Sequence, residues 1–335
     1  WASEHAVVST MRSSHDSRWF AHLLYAMNLN QYSVSAAQPG IAVDRIRELS
    51  APVPPPETQR AIADFLDRKT AAIDALIEKK ERLIALLEEK RQALITQAVT
   101  KGLDPDVPMK DSGIEWLGEI PAHWDVRRLK HALAPVAGAL RTGPFGSQLT
   151  SSEMSGSDYK VYNQRTVIDR DFETGVEFVT AEKFQSLRSF EVTPEDVLIT
   201  SRGTIGRTAV VPSGAEPGVL HPCLIRMRFD RRLLNSEYAA LVMQEAPFVS
   251  RTLARLSNAT TIAVIYSYNL KEVPLPFPPV EEQRQILDVV ATRLRSVGLI
   301  AERAAKSAAL LREYRQTVIT AAVTGKLDVT SEEAA

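Results

Sequence analysis

Three short stretches of this chain group hydrogen-bonding side chains with glycines. The first, "LRTGPFGSQL" at residues 140–149, carries Arg141, Thr142, Ser147 and Gln148 around Gly143 and Gly146. Arginine and glutamine each offer a paired hydrogen-bond edge suited to a base, and glycine lets backbone approach a phosphate. The competing assignment is an ordinary Gly-Pro loop over a buried Phe145. The second, "YNQRTV" at residues 162–167, offers Asn163, Gln164 and Arg165 in a row. Asparagine and glutamine match adenine and arginine matches guanine; on a strand, at most two of the three face one way. Otherwise they are plain surface residues. The third, "TSRGTIGRT" at residues 200–208, sets Arg202, Thr204 and Arg207 about two glycines. It is either a phosphate-binding turn or a hairpin whose glycines serve only positive φ. A fourth stretch, residues 257–269, adds Asn258 and Tyr266, with Tyr268 beside them; its apolar residues equally suit a core.

Other chemistries find no support. His221-Pro222-Cys223 lacks further ligands at metal-binding spacing. No nucleophile elbow, Walker loop or metal-nuclease signature occurs. No catalytic or metal-binding residue is therefore expected. The lone Cys223 excludes an internal disulfide and fits a reducing cytoplasm. No apolar run approaches membrane-spanning length, so no membrane partner is expected. Net charge is −1 over 335 residues, which argues against a protein that coats nucleic acid by bulk charge. Arg226, Arg228, Arg231 and Arg232 are expected to solvate a surface.

The elements that position these loops show a repeat. "KRQALITQAVTKGLD" at residues 90–104 returns as "YRQTVITAAVTGKLD" at 314–328, and an ungapped offset of 224 carries the match back to Pro54 against Pro278. About 20 of the 51 aligned positions are identical. A period this long implies a duplicated domain-plus-helix unit rather than a solenoid. Each echo reads as one long helix of about 45 residues, or about 65 Å. The first apolar stripe is Ile62, Leu66, Ile73, Leu76, Leu83, Leu87, Leu94 and Ala98. The second runs from Ile286, Val290, Leu294 and Val297 to Val318 and Ala322. Helices that long cannot hide their stripes alone, so an antiparallel pair is expected. Residues 102–124, rich in turn formers, read as a linker, and residues 125–277 as a globular domain. In that domain "DVLITSRGTIGRTAVVP" reads as two strands about a turn, "GVLHPCLIRMRF" as another strand, and "NSEYAALVMQEAPFVSRTLARL" as helix. Residues 1–53 echo only that domain's end: "SRWFAHLLYAM" answers "NSEYAALVMQE".

Together these residues resemble the specificity (S) subunit of type I restriction–modification systems. The link "GLDPDVPMKDSGIEWLGEIPAHWDVRRLK" carries most of the likeness, with "GPFGSQL", "DVLITSRGTIGRTAVVP" and the helix starts "PPPETQRAIADFLD" and "PPVEEQRQILDVV". The resemblance implies an α+β fold: β-rich target-recognition domains, with two long antiparallel helices as a coiled-coil-like spacer. It implies that residues 1–53 are the end of a first recognition domain lacking its front half, 54–101 the first conserved helix, 125–277 the second recognition domain, 278–325 the second helix and 326–335 a tail. It also implies double-stranded DNA as ligand, one half-site of a bipartite target read by the second domain, two methyltransferase (M) subunits and restriction (R) subunits as partners, and no active site in this chain. S-adenosylmethionine, ATP and Mg would be bound by those partners. Self-association is expected if the truncation is real. The competing function is a coiled-coil scaffold that reads no DNA.

Overall fold

The computed structural model describes residues 14–32, 43–115, 117–175, 177–256 and 264–329. In chain order the helices are α1 (Ser17–Ala26), α2 (Val43–Arg47), α3 (Pro56–Lys101), α4 (Gln164–Asp169), α5 (Ala181–Ser186), α6 (Ser236–Glu245), α7 (Pro247–Leu256), α8 (Ser267–Lys271) and α9 (Val280–Val323). The strands are β1 (Met109–Asp111), β2 (Glu119–Pro121), β3 (Asp125–Arg128), β4 (Leu140–Thr142), β5 (Tyr159–Tyr162) and β6 (Phe178–Val179). They continue as β7 (Glu191–Val192), β8 (Val197–Thr200), β9 (Thr208–Val210), β10 (Gly218–Leu220), β11 (Leu224–Met227) and β12 (Pro274–Phe277). This is an α+β fold with two long helices and a β-rich domain. It divides into two compact units, Trp1–Glu88 with Val297–Ala335, and Glu89–Ser296.

In the first unit, α3 and α9 form an antiparallel pair. Arg315 pairs with Asp74 at 3.2 Å and Arg312 with Glu81, so one helix descends as the other climbs. Leu66, Thr70, Ile73, Ile77, Lys80, Ile84 and Leu87 mark the α3 seam, in alternating steps of four and three. Val297, Ala301, Ala304, Ala308, Leu311, Arg315 and Val318 do the same on α9. A 3.5-residue period is that of a left-handed coiled coil, and its alanines permit close approach. Leu76 and Leu83 are not in the seam, being 46% and 37% exposed. Residues 76–77 and 83–84 hold apolar neighbours side by side, so the pattern admits a step of three or four, and packing selects Ile77 and Ile84. The two ion pairs are largely exposed and define register more than they stabilise.

α1 packs on this pair through Trp19 and Leu23, beside Ile62, Leu66, Val318 and Ala322. Asp16 caps α1, its Oδ1 accepting from Arg18 N at 2.8 Å and Trp19 N at 3.2 Å. In the second unit Asn235 caps α6 in the same way, from Glu237 N at 2.9 Å and Tyr238 N at 3.1 Å. Ser17 therefore answers Ser236, one residue from the alignment expected from sequence, and the buried Trp19 answers the buried Tyr238.

The second unit holds two four-stranded sheets, ordered β6-β5-β10-β7 and β4-β11-β8-β9. The β10–β5 pair is parallel and the other pairs antiparallel. β10 and β11 were expected as one strand. Pro222 donates no ladder hydrogen bond, so the chain turns at residues 221–223 and passes from one sheet to the other. α6 and α7 likewise part at Ala246, whose ψ of 121° is extended because a proline follows.

Residues 102–124, expected as a linker, contain the β1–β2 hairpin. Leu117, Ile120 and Trp124 are buried with Ile95, Val99 and Ile286 in the unit's main cluster. Turn formers mask this in the sequence, but three apolar residues suffice to anchor the segment.

Candidate nucleic-acid interface

The loop between β8 and β9, residues 201–207, is the centre of the site. Gly203 and Gly206 take φ of +66° and +81°, which glycine alone adopts without strain. Thr200 closes the loop, its N donating to Arg207 O at 2.9 Å and its Oγ1 accepting from Arg207 N at 3.0 Å. On one side Ser201 N and Oγ both donate to Cys223 O at 2.9 Å, tying the loop to the β10–β11 corner. On the other, Arg202 forms a β-bridge with Val264, and Ile265 N donates to Ser201 O at 2.8 Å.

That framework gathers several sequence-predicted residues. Arg202 is exposed and lies over the Phe145 ring, 5.3 Å from its centroid. Phe145 is 46% exposed, not buried as the competing reading of its loop required. Ser147 and Gln148 stand exposed beside it in a 3-10 turn, with Gln148 Oε1 accepting from Phe145 N at 3.1 Å. Gln164 Nε2 donates to Thr204 O at 3.4 Å, which brings the start of α4 against the glycine loop. Thr204 and Arg207 are exposed. The bridge at Val264 leads directly to Tyr266, stacked on Tyr268 at 5.4 Å with planes 9° apart. The glycine loop thus joins a guanidinium stacked on one exposed aromatic to the segment that carries a second, exposed aromatic pair.

Other predicted residues have different work. Arg141 lies in β4 opposite Arg226, half-buried, over the Phe190 ring at 5.4 Å. Thr142 faces Ile225 across the same ladder. Asn163 is not on a strand. It caps α4, accepting from Arg165 N and Thr166 N, while its amide donates to Glu177 Oε2 at 2.9 Å. An asparagine that satisfies the first turn's free N–H groups starts a helix, and the strand ends at Tyr162. Arg165 is exposed but paired with Asp169 one turn on, at 3.1 Å. Asn258 lies outside the described residues.

Gly143 is needed for protein backbone rather than for a phosphate. A Cβ there would lie 2.2 Å from His221 O, whereas Gly146 faces open space with φ +55°. His221 Nδ1 accepts from Cys223 N at 3.1 Å, and burial holds the imidazole below its ordinary pKa, so the ring is a neutral part of the corner.

Arg226 and Arg228 are structural ties, not the solvating surface expected of them. Arg228 grips the buried Asp196 through Nε at 2.7 Å and Nη2 at 3.1 Å. Arg226, 2% exposed, donates to Gly138 O at 2.8 Å and to Glu191 O, and burial lowers its pKa to about 10. Arg231 and Arg232 do sit at the surface, paired with Glu195 and Asp230.

Phe145 was read only as a buried loop residue and not as a site residue; its signal was an aromatic set between two glycines. Among the described residues no cluster of three or more His, Cys, Asp or Glu suits a metal ion. Nor is any helix there long and apolar enough to cross a membrane.

Comparison with known proteins bears on this arrangement. The family described as "Type I restriction modification DNA specificity domain" matches residues 1–86 and 150–306. The type I restriction enzyme MjaVIII specificity subunit of Methanocaldococcus jannaschii is 22% identical over 317 residues, 92% of this chain and 70% of that protein. The EcoBI specificity subunit of Escherichia coli is 20% identical over 341 residues, 98% of this chain and 70% of that protein. The EcoprrI specificity subunit of the same organism is 42% identical over 78 residues, 23% of this chain and 20% of that protein. A chain solved in work on complex assembly and conformational transition of the type I R-M system superposes with a TM-score of 0.70 at 18% identity, covering 93% of this chain and 72% of its own length. The HsdS subunit from Thermoanaerobacter tengcongensis gives 0.51 at 18% identity, with 92% of this chain and 70% of that one covered. At these identities the structural likeness concerns the fold.

Proposed function

The chain belongs to the type I restriction modification DNA specificity family, and on that premise we propose that its second unit reads one half-site of a bipartite DNA target through the loops gathered at Arg202. The observation that carries this reading is the stack of Arg202 on the exposed Phe145, with Gln164 at the adjoining start of α4 and Tyr266 on an adjoining loop. The Arg202 guanidinium suits the paired acceptors of guanine in the major groove, and Gln164 suits adenine. Phe145 and Tyr266 offer apolar surface to a thymine methyl. Arg207, Thr204 and Ser147 are placed to meet phosphates and to set register rather than to specify sequence. Arg141 and Asn163 support the loops from behind and contribute no base contact.

The recognition domain is close to neutral, with 18 Lys and Arg against 16 Asp and Glu over residues 125–277. Further positive charge for DNA therefore comes from partners, in this proposal two methyltransferase subunits, with restriction subunits joining the assembly. Leu76, Leu86, Ile300 and Leu310 on the outer faces of α3 and α9 are between 46% and 55% exposed and supply apolar docking surface. S-adenosylmethionine, ATP and Mg belong to those partners, and this chain performs no catalysis.

A mobility-shift titration with and without the methyltransferase subunit tests the reading. Binding is expected to be selective for sequence, to tighten when the partner is present, and to weaken steeply with salt. Sequence-indifferent binding, or none, would favour a scaffold that reads no DNA.

A further inference from the structure

Arg202 differs from the other arginines that lie over aromatic rings. Arg127 lies over Phe277, Arg188 over Phe184 and Arg315 over Tyr25, but each is paired with a carboxylate, of Asp125, Glu191 and Asp74 in turn. Arg141, over Phe190, is half-buried in β4. Arg202 is exposed, its guanidinium carbon 5.3 Å from the Phe145 centroid, and it makes no side-chain hydrogen bond or ion pair among the described residues. Stacking on a ring occupies one face of a guanidinium and leaves its N–H edge open for a ligand.

The ring is held out from the core by its own turn. Gly143, Pro144 and Leu149 are buried on either side of it, and Gly143 N donates to Leu224 O at 2.9 Å. Phe145 is extended, with φ −111° and ψ 151°, and Gln148 Oε1 accepts from its N at 3.1 Å. The backbone of Arg202 is fixed from the other side by its bridge to Val264. Both residues are therefore set in place before any ligand arrives, with 46% of Phe145 facing solvent.

A guanidinium bonded to O6 and N7 of guanine lies near the plane of that base. Successive bases on a strand are about 3.4 Å apart. A ring centred 5.3 Å from the guanidinium therefore overhangs the neighbouring base pair. In the major groove that pair presents the C5 position of its pyrimidine, a methyl group in thymine and a bare C–H in cytosine. We propose, resting on the DNA-reading assignment, that Arg202 and Phe145 together read one base step: a guanine beside a pair whose pyrimidine carries a C5 methyl group. The methyl itself is the recognised feature, whether it belongs to thymine or to 5-methylcytosine. Phe145 is then a specificity-determining residue, and binding responds to cytosine methylation at that step.

The test uses the whole chain with the methyltransferase subunit and a labelled duplex of the motif selected from a random library, followed by fluorescence anisotropy. The guanine is the position whose preference Arg202→Ala relaxes. At each neighbouring pair in turn the pyrimidine is made thymine, uracil, cytosine or 5-methylcytosine, opposite its complement. At one neighbour uracil should bind about fourfold more weakly than thymine, and 5-methylcytosine about fourfold more tightly than cytosine, the scale of burying one methyl group. In Phe145→Ala both ratios should fall to about one, the coupling expected of a direct contact. Phe145 is exposed, so its variant keeps the fold; thermal unfolding checks this, and the thymine–uracil comparison on the unaltered chain needs no variant. Equal affinity for thymine and uracil at both neighbours, or ratios that survive in Phe145→Ala, would overturn the proposal and leave the DNA-reading assignment standing. No motif, or a motif unchanged by Arg202→Ala, would overturn both.

Discussion

Gly143→Ala is expected to lower the stability of the second unit by more than about 4 kcal/mol, an unusually large effect for one methyl group. The added Cβ would lie 2.2 Å from His221 O, 2.7 Å from His221 C and 3.0 Å from Pro222 Cα. All three are backbone atoms, so no rotamer change relieves the contact. The corner they belong to is itself fastened: Gly143 N donates to Leu224 O at 2.9 Å, and His221 N to Tyr162 O at 2.9 Å. Room can be made only by breaking the place where β10 passes to β11. Gly146→Ala, three residues on, is the contrast. Its φ of +55° costs a side chain about 1–2 kcal/mol, but nothing lies within 4 Å of the new Cβ. Thermal unfolding by circular dichroism separates the two. The Gly143 variant should melt at least about 8 °C lower at about 2–4 °C per kcal/mol, and the Gly146 variant only a few degrees lower. Equal small shifts would show that the corner is compliant and the glycine incidental.

Gln283→Leu is expected to cost about 3 kcal/mol or more. The side chain is 0% exposed. Its Oε1 accepts from Asn235 N at 2.8 Å, and its Nε2 donates to Leu233 O at 3.0 Å and Pro278 O at 2.8 Å. One amide in the first turn of α9 thus holds the cap of α6, the loop before it and the proline entry to its own helix. Leucine matches the volume and removes all three bonds. A buried group left without a partner costs about 1–3 kcal/mol, so the loss is set by the orphaned backbone rather than by the glutamine. The repeat supplies a second instance. Gln59, also 0% exposed, accepts from Asp16 N at 3.0 Å and donates to Pro54 O at 2.7 Å. Gln59→Leu should destabilise the first unit by a smaller amount, since it orphans two backbone groups instead of three. Urea unfolding of both variants measures this, and a loss under 1 kcal/mol for Gln283→Leu would refute the pinning role.

The repeat made the architecture legible. The repeat and its twin apolar stripes announced two long helices, and both are present as α3 and α9. The seam was harder to read because Leu76 and Ile77 both qualify as apolar, and only the partner helix decides between them. A strand was likewise the premise at "YNQRTV", yet Asn163 ends it by capping α4, a local hydrogen-bonding choice that a hydrophobic pattern does not encode. Residues 102–124 looked like a linker because turn formers outnumber apolar residues there. Their burial depends on Ile95 at the end of α3 and on Ile286, which is far away in sequence.

At the candidate site the sequence identified the loops better than the side chains. Arg202 lies on Phe145, whose turn carries Ser147 and Gln148; Gln164 bonds to the glycine loop at Thr204; and Tyr266 follows the bridge from Arg202 to Val264. Arg141 carries the same guanidinium but alternates inward on β4, so strand register removes it. Phe145 was assigned to the interior because an aromatic in a Gly-Pro loop has no periodic signature that marks it as exposed; its exposure and the Arg202 stack show otherwise.

The most direct measurement is selection from a random duplex library, run in parallel on this chain and on Arg202→Ala with the methyltransferase subunit present. Arg202 is exposed and bears on no buried group of the core, so the variant keeps the fold. The chain should select a short contiguous motif, and the variant the same motif with preference relaxed at one position and affinity lowered about tenfold or more, the scale of one base contact at about 1–3 kcal/mol. Identical motifs from both proteins, or no motif from either, would contradict it.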